Sequence, residues 1–287
     1  MSPKYTIEDF QRAGTEIYEK LHLSTLPVGV KYIRDESEIP EGVRRPVNEG
    51  KKMSLCQCFT QSRRFSEKWA LTAVDNFCTP MTTSMGWVQL TDEELLESQI
   101  RQGWHSDKES EKKAVTGSSL TGSSDQKGRE LLAKQGYRGL ISVPLDETPI
   151  IPDSILIYGT PVKITYIIHA LAFEKRSKYE IKTSFMGFGE SCIKGTLMPL
   201  LLQKPQIVIP GTGDRSFCGI QDWEVAIGLP SKHIFYVLEN LFKTGRNQGL
   251  KLPLRQIIPR LDENITPGFK YLAPIIEKKL KEEEALK

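Results

Sequence analysis

The chain has no apolar run approaching the ~18 residues of a membrane-spanning helix, so no membrane span is expected. Its opening, MSPKYTIEDFQRAGTEIYEKL, carries acidic residues early and lacks the apolar core of a secretory signal. Neither sign of charge dominates: 39 Lys and Arg face 36 Asp and Glu, a net +3, and no basic block is interleaved with aromatics. That argues against nucleic acid as a partner. The five cysteines are an odd number without the dense spacing of a secreted disulfide scaffold. A reducing cytoplasm is the expected compartment. Histidines number only four, and no Ser-His-Asp order, H-E-x-x-H, Walker loop or G-x-G-x-x-G stands in its proper setting.

What is present is an ordinary globular composition, 39% hydrophobic, 26% charged and 8% aromatic, which excludes wholesale disorder. Residues 7–21 read as an amphipathic helix, with Ile7, Phe10, Ala13, Ile17 and Leu21 on one stripe. A strand over 26–33 and a polar, proline-containing loop over 34–52 follow. Next come a helix starting at Ser54 and ending near Lys68, and a strand over 71–77 that delivers Cys78. Thr79-Pro80 reads as an N-cap with proline at the first helical position. Beyond it, 92–102 and 126–134 are expected helices, and Gly/Ser-rich 116–124 reads as a linker, a lid or a phosphate-contacting loop. Strand 140–143 closes this half.

The second half repeats the order. Strand 155–158, a helix from Thr160-Pro161 to about Lys175, and strand 179–188 lead into Gly189-Glu190-Ser191-Cys192. An apolar helix over 197–202, a strand over 206–209, the turn 210–215, a strand over 224–228 and a helix over 231–243 complete it. Strand, helix, strand, cysteine thus occurs twice, ending at Cys78 and at Cys192. The expectation is an α/β (or α+β) fold of two similar lobes in one globular unit, with an internal duplication. Residues 1–150 form the first lobe, 151–265 the second, and 266–287 a C-terminal amphipathic helix ending in a charged tail. Under a pseudo-twofold, Cys78 and Cys192 would occupy equivalent strand ends at a shared cleft, where ligands of α/β sheets bind.

Ser54-Leu55-Cys56-Gln57 matches a capping box, which puts Cys56 in the electropositive first turn of its helix, where a thiolate is favoured. Cys58 is two positions on, about 200° around the axis, and reads as a core residue facing elsewhere. The thiols that could converge are Cys56, Cys78, Cys192 and Cys218. Four thiolates suit an iron–sulfur cluster of the 4Fe–4S type, or zinc, although their spacing matches no compact motif. Buried structural cysteines are the bland alternative. Arg63 and Arg64 are seven and eight positions beyond Cys56, so at least one shares its helical face. A guanidinium there could hold a carboxylate or phosphate beside the thiolate, or the pair could form a solvated basic face. Gly211, Gly213 and Arg215, in Gly-Thr-Gly-Asp-Arg, could cradle an anion, or form a simple tight turn. His169 reads as a satisfied core histidine, and His105 alone is kept as a ligand or acid–base candidate.

The segments Leu26-Pro27-Val28-Gly29-Val30-Lys31-Tyr32, Glu41-Gly42-Val43-Arg44-Arg45-Pro46, Cys56-Gln57, Arg63-Arg64, Ile155-Leu156-Ile157-Tyr158-Gly159, Ser191-Cys192 and Pro210-Gly211-Thr212-Gly213-Asp214-Arg215 run in an order that resembles the family called domain of unknown function 169. The similarity covers about residues 8–260. It implies recurring cysteines at Cys56, Cys78 and Cys192, leaves Cys58 and Cys218 less characteristic, and implies no settled activity. The family's anaerobic setting favours iron over zinc by association.

Three functions remain in view. The first is an iron–sulfur protein, a redox or lyase-type enzyme acting on a small anionic molecule, with an electron-transfer partner. The second is a ligand-binding or accessory protein without chemistry. The third is metal-free thiol catalysis by Cys56, for which no histidine offers itself as base. Homo-oligomerisation is left open.

Overall fold

A computed structural model describes residues 5–88, 91–101, 107–110, 113, 135–174, 181, 189–243 and 267–285. Helix α1 (Ile7–Lys20) starts at Thr6, which makes a capping box with Asp9, and it buries Phe10, Ala13 and Ile17 as its periodicity predicts. Strand β1 (Val28–Ile33) leads through the loop to α2 (Leu55–Phe65), whose Ser54/Gln57 capping box forms as the sequence indicates. The helix stops where Ser66 turns left-handed at φ +56°, three residues short of the expected end near Lys68.

Strand β2 (Trp69–Thr72) is shorter than the expected 71–77. The fully buried Asp75 carboxylate ends it, accepting from Thr72 N (3.0 Å), Thr72 Oγ1 (2.9 Å), Val47 N (3.1 Å) and Arg45 Nη2 (2.8 Å). These bonds turn the chain back on itself and replace a ladder partner. Cys78 is therefore not at the end of a strand: it caps α3 (Thr79–Ser84), with Pro80 in the first turn. Helix α4 (Asp92–Arg101) and strands β3 (Gly139–Pro144) and β4 (Ser154–Gly159) follow, then α5 (Pro161–Leu171). Loop 116–124, helix 126–134, His105 and nearly all of strand 179–188 lie outside the described residues.

From Gly189 (φ +68°) the chain enters an eight-residue π-helix, Glu190–Leu197, which carries Cys192 and runs on into α6 (Met198–Leu202). Strand β5 (Gln206–Val208), α7 (Thr212–Cys218), β6 (Val225–Pro230), α8 (His233–Asn240) and α9 (Pro267–Ala285) complete the order.

The six strands form one sheet in the order β2-β3-β1-β4-β6-β5, and every neighbouring pair is antiparallel. The fold is thus mixed, of the α+β kind. β3 and β4 are buried at every position, which explains runs that are apolar but for Ser142 and Ser154. The first half supplies β2-β3-β1 and the second supplies β4-β6-β5, meeting at the β1–β4 pair. The two halves correspond in strand order. By that order Cys192 matches Cys56 rather than Cys78, since each lies in the first turn of a helix that precedes an edge strand.

The chain divides into two compact units. The larger, Met1–Ile164 with Glu180–Phe235, holds the whole sheet and all five cysteines, and draws on both sequence halves. The smaller comprises Thr165–Tyr179 and Tyr236–Lys287. Within the larger unit α2 and the π-helix pack beside each other on the sheet. Their core includes Leu55, Phe59, Trp69, Leu140, Leu156, Tyr158, Ile193 and Leu197, each excluded from water almost completely. Burying side chains of this size stabilises by about 1.5–3 kcal/mol apiece.

Candidate functional site

Cys56, Cys192 and Cys218 come from α2, the π-helix and the end of α7, and their thiols meet in that core. Hydrogen bonds from the Cys192 and Cys218 thiols are the main reason that the Cys56 pKa falls well below its ordinary value. Burial opposes the shift, and the Ser54 hydroxyl, 3.2 Å from Cys56 Sγ, adds to it. The partners move the other way: each donates to Cys56 and is buried, so Cys192 and Cys218 hold their protons well above the usual thiol range. Cys56, in the first turn of α2, is therefore the first of the three to ionise, with two thiol donors pointed at it.

Cys78 packs against the same core but bonds to none of the three thiols. It feels the Cys56 charge, and burial is the larger reason that its pKa rises. Cys58 is fully buried on the other side of α2, where it bonds to the Ser142 hydroxyl on β3, and burial pushes its thiol far up. The two residues of the C-x-C pair thus face different surroundings, as helical geometry requires.

A hydroxyl network holds the cluster. Thr196 Oγ1 donates to the Cys192 carbonyl and sits 2.6 Å from Tyr32 Oη. Tyr158 Oη donates to Ser191 Oγ at 2.8 Å. Ser191 in turn bonds to the buried Asp214 carboxylate, which also accepts from Gly211 N at 3.1 Å. Burial, and after it the charge on Cys56, pushes the Asp214 pKa up to about 7. Thr60 Oγ1 lies 3.1 Å from the Cys56 carbonyl and 3.3 Å from that of Cys218, which ties α2 to α7. Asp214, Ser191, Tyr158 and Tyr32 are the site residues that sequence reasoning passes over. The available signals were an acid at the third position of a Gly-started helix and a serine adjoining Cys192.

The basic groups expected to hold an anion have protein partners. Arg63 is fully buried, with Nη1 2.8 Å from Glu224 Oε1 and its guanidinium 4.3 Å from the centre of the Tyr158 ring. Arg64 Nη2 donates to the Gly219 carbonyl at 3.1 Å and lies 3.4 Å from Glu224 Oε2. Arg215 Nε donates to the Pro210 carbonyl at 3.2 Å, and its Nη1 is 3.6 Å from Asp222. Gly211 N–H is spent on Asp214, and the Gly213 carbonyl accepts a long contact from Cys218 Sγ at 3.9 Å. A second buried ion pair, Lys194 Nζ to Glu190 Oε2 at 2.9 Å, lies within the π-helix. In the smaller unit, His169 Nδ1 is buried without a hydrogen-bond partner.

Besides the Ser54 hydroxyl, the side chains that meet Cys56 are thiols, the donor type that soft metals and iron–sulfur clusters take. The thiols bond to one another, and among the described residues no group of three or more His, Cys, Asp or Glu stands ready-spaced to hold a metal ion. A single tetrahedral ion with bonds of ~2.3 Å sets its sulfurs about 3.8 Å apart. The thiols of Cys56, Cys192 and Cys218 supply soft donors of the type that either a single ion or a cluster takes.

The chain belongs to the DUF169 family, described as uncharacterised (ArCR), whose model matches residues 16–240. It is similar to an uncharacterised protein of Methanocaldococcus jannaschii, 23% identical over 235 residues that cover 81% of this chain and 94% of that one. No solved structure matches it. Among the described residues, no helix is long and apolar enough to cross a membrane.

Proposed function

We propose that this is a thiolate-ligated metal protein, in which Cys56, Cys192 and Cys218 bind an iron–sulfur cluster or a single soft metal ion, with Cys78 beside them as the candidate fourth ligand. The observation that carries the reading is the meeting of three thiols from separate segments, one of them ionising first. Metal ligation needs deprotonated sulfur, and Cys56 supplies it at low cost. The Cys192 and Cys218 protons would leave on binding, so uptake would release protons and weaken as pH falls. When bound, such a group would supply electron transfer or Lewis-acid chemistry. The chain's own residues would exclude water from it and hold the sulfurs through Thr196, Ser191, Asp214 and Thr60.

Purification under strict exclusion of oxygen, followed by iron, acid-labile sulfide and zinc analysis, tests the reading. It predicts near-stoichiometric metal with visible absorption if iron is present. A colourless protein without metal, even after reconstitution, overturns it.

A second reading is metal-free thiolate chemistry at Cys56. Its support is that the two neighbouring thiols and Ser54 stabilise the Cys56 thiolate without any histidine base. Metal-free protein that reacts stoichiometrically with an electrophile at Cys56 would favour it.

A further inference from the structure

Beside the thiol cluster, a cleft of about 270 Å³ opens between α2 and α7, lined by Lys51, Lys52, Met53, Gln57, Thr60, Gln61 and Phe217. The size, just under the ~300 Å³ at which drug-sized sites begin, suits a metabolite. Its polar wall is biased toward donors. Gln57 Oε1 is spent on the capping box, accepting from Ser54 N at 3.0 Å, and its amide N–H groups have no partner among the described residues. Neither the Gln61 side chain nor the Lys52 ammonium has a partner among the described residues. Lys51 is paired with Glu49 at 2.8 Å and lies 4.6 Å from the centre of the Trp69 ring. No unpaired carboxylate lines the cleft. The first turn of α2 adds positive potential at the same end. Met53 and Phe217 add the apolar lining, Met53 from the buried core and Phe217 60% exposed.

From this arrangement we infer that the α2–α7 cleft binds a small organic anion, with its carboxylate or phosphate on Lys52, Gln57 and Gln61 and an apolar body against Phe217 and Met53. The inference deepens the metal reading by placing a ligand site next to it. Met53, Gln57 and Phe217 are each within three residues of Cys56 or Cys218 in the chain, and Thr60 alone joins the cleft wall to both cysteine carbonyls. A ligand there would sit against the wall that Thr60 ties to the Cys56 and Cys218 backbone. The cleft is an anion site distinct from Arg63, Arg64 and Arg215, each of which already has a protein partner.

Calorimetric titration of the protein as purified, with phenyl phosphate and benzoate as probes and phenol and benzamide as neutral controls, tests the inference. The charged probes are expected to bind at least tenfold tighter than the neutral ones, and more weakly as salt is raised. Lys52→Gln should weaken the charged probes several-fold. Phe217→Ala should weaken phenyl phosphate while leaving inorganic phosphate unchanged, and Lys278→Gln on α9 should change nothing. Equal binding of charged and neutral probes, or unaltered binding by Lys52→Gln with its melting temperature intact, would overturn it. Metal content measured on the same samples separates the two claims: metal without anion binding removes only the cleft, and anion binding without metal removes only the thiolate site.

Discussion

A Cβ built on Gly228 of β6 would lie 2.2 Å from the carbonyl oxygen of Gly195 in the π-helix, nearer than any real contact. Neither glycine has a left-handed φ, so the requirement here is proximity rather than backbone freedom. A Cβ on Gly195 would in turn meet Leu156 Cδ1 at 2.7 Å. The π-helix thus presses directly on the sheet, and this contact fixes the height at which Cys192 reaches Cys56.

Gly228→Ala must therefore either lift the π-helix or fail to fold. The expected loss is in the range for core overpacking, about 1–3 kcal/mol or more, read as a lower urea midpoint. Where the variant folds, the Cys56 pKa should rise toward the free-thiol value as Cys192 withdraws, which alkylation against pH would show. Unchanged stability would mean that the close approach does not exist.

Arg63 predicts a different loss. Its pair with Glu224 is buried at both ends, so removing it leaves the buried Glu224 carboxylate with only the partly exposed Arg64 at 3.4 Å as a cationic partner. Arg63→Met should destabilise by roughly 3–5 kcal/mol, and Arg63→Met with Glu224→Leu should recover most of that. If Arg63 served mainly to bind an anion, the single substitution would instead leave stability near wild type and abolish binding.

Asp214 gives the stability profile a definite sign. Its native pKa of about 7 stands above the ordinary 3.8, so the native state binds the extra proton between those values. The contribution is complete below pH ~4 and is lost as pH rises through 7. In metal-free protein Asp214→Asn should therefore gain on wild type from pH 5 to pH 8 in urea unfolding. A gain in the opposite direction would place the carboxylate in a solvated or cation-paired setting.

The five thiols should also react in an order that sequence spacing alone does not give. In metal-free protein, the pH profile of Cys56 alkylation should level off below the ~8.5 of free cysteine, while Cys78 should still be gaining rate there. Cys58, buried and bonded to Ser142, should be the last to label in mass-spectrometric peptide mapping. Labelling of Cys58 ahead of Cys56 would contradict the placement of the two on α2.

The local elements were legible because their signals are local. The Ser54/Gln57 capping box, the Cys56–Cys58 divergence and the apolar strands β3 and β4 follow from residues within one turn or one strand. The antiparallel sheet order was not, since pairing β1 with β4 depends on contacts distant in sequence. The sequence places Cys192 just past a strand over 179–188, nearly all of which lies outside the described residues. From Gly189 the chain enters a π-helix that carries Cys192, and that i→i+5 winding has no periodicity signature of its own. Arg63 looked like a ligand group since helical spacing gives its face and not its partner, and Glu224 is far along the chain. Asp214 was hidden for the same reason: its burial comes from packing.

The most direct test of the thiolate site is metal stoichiometry in matched anaerobic preparations of wild type, Cys192→Ser and Cys58→Ser. The account predicts bound iron with sulfide, or zinc, in wild type, its loss in Cys192→Ser, and its retention in Cys58→Ser. Absence of metal from reconstituted wild type, or equal loss in both variants while both remain folded, would contradict it.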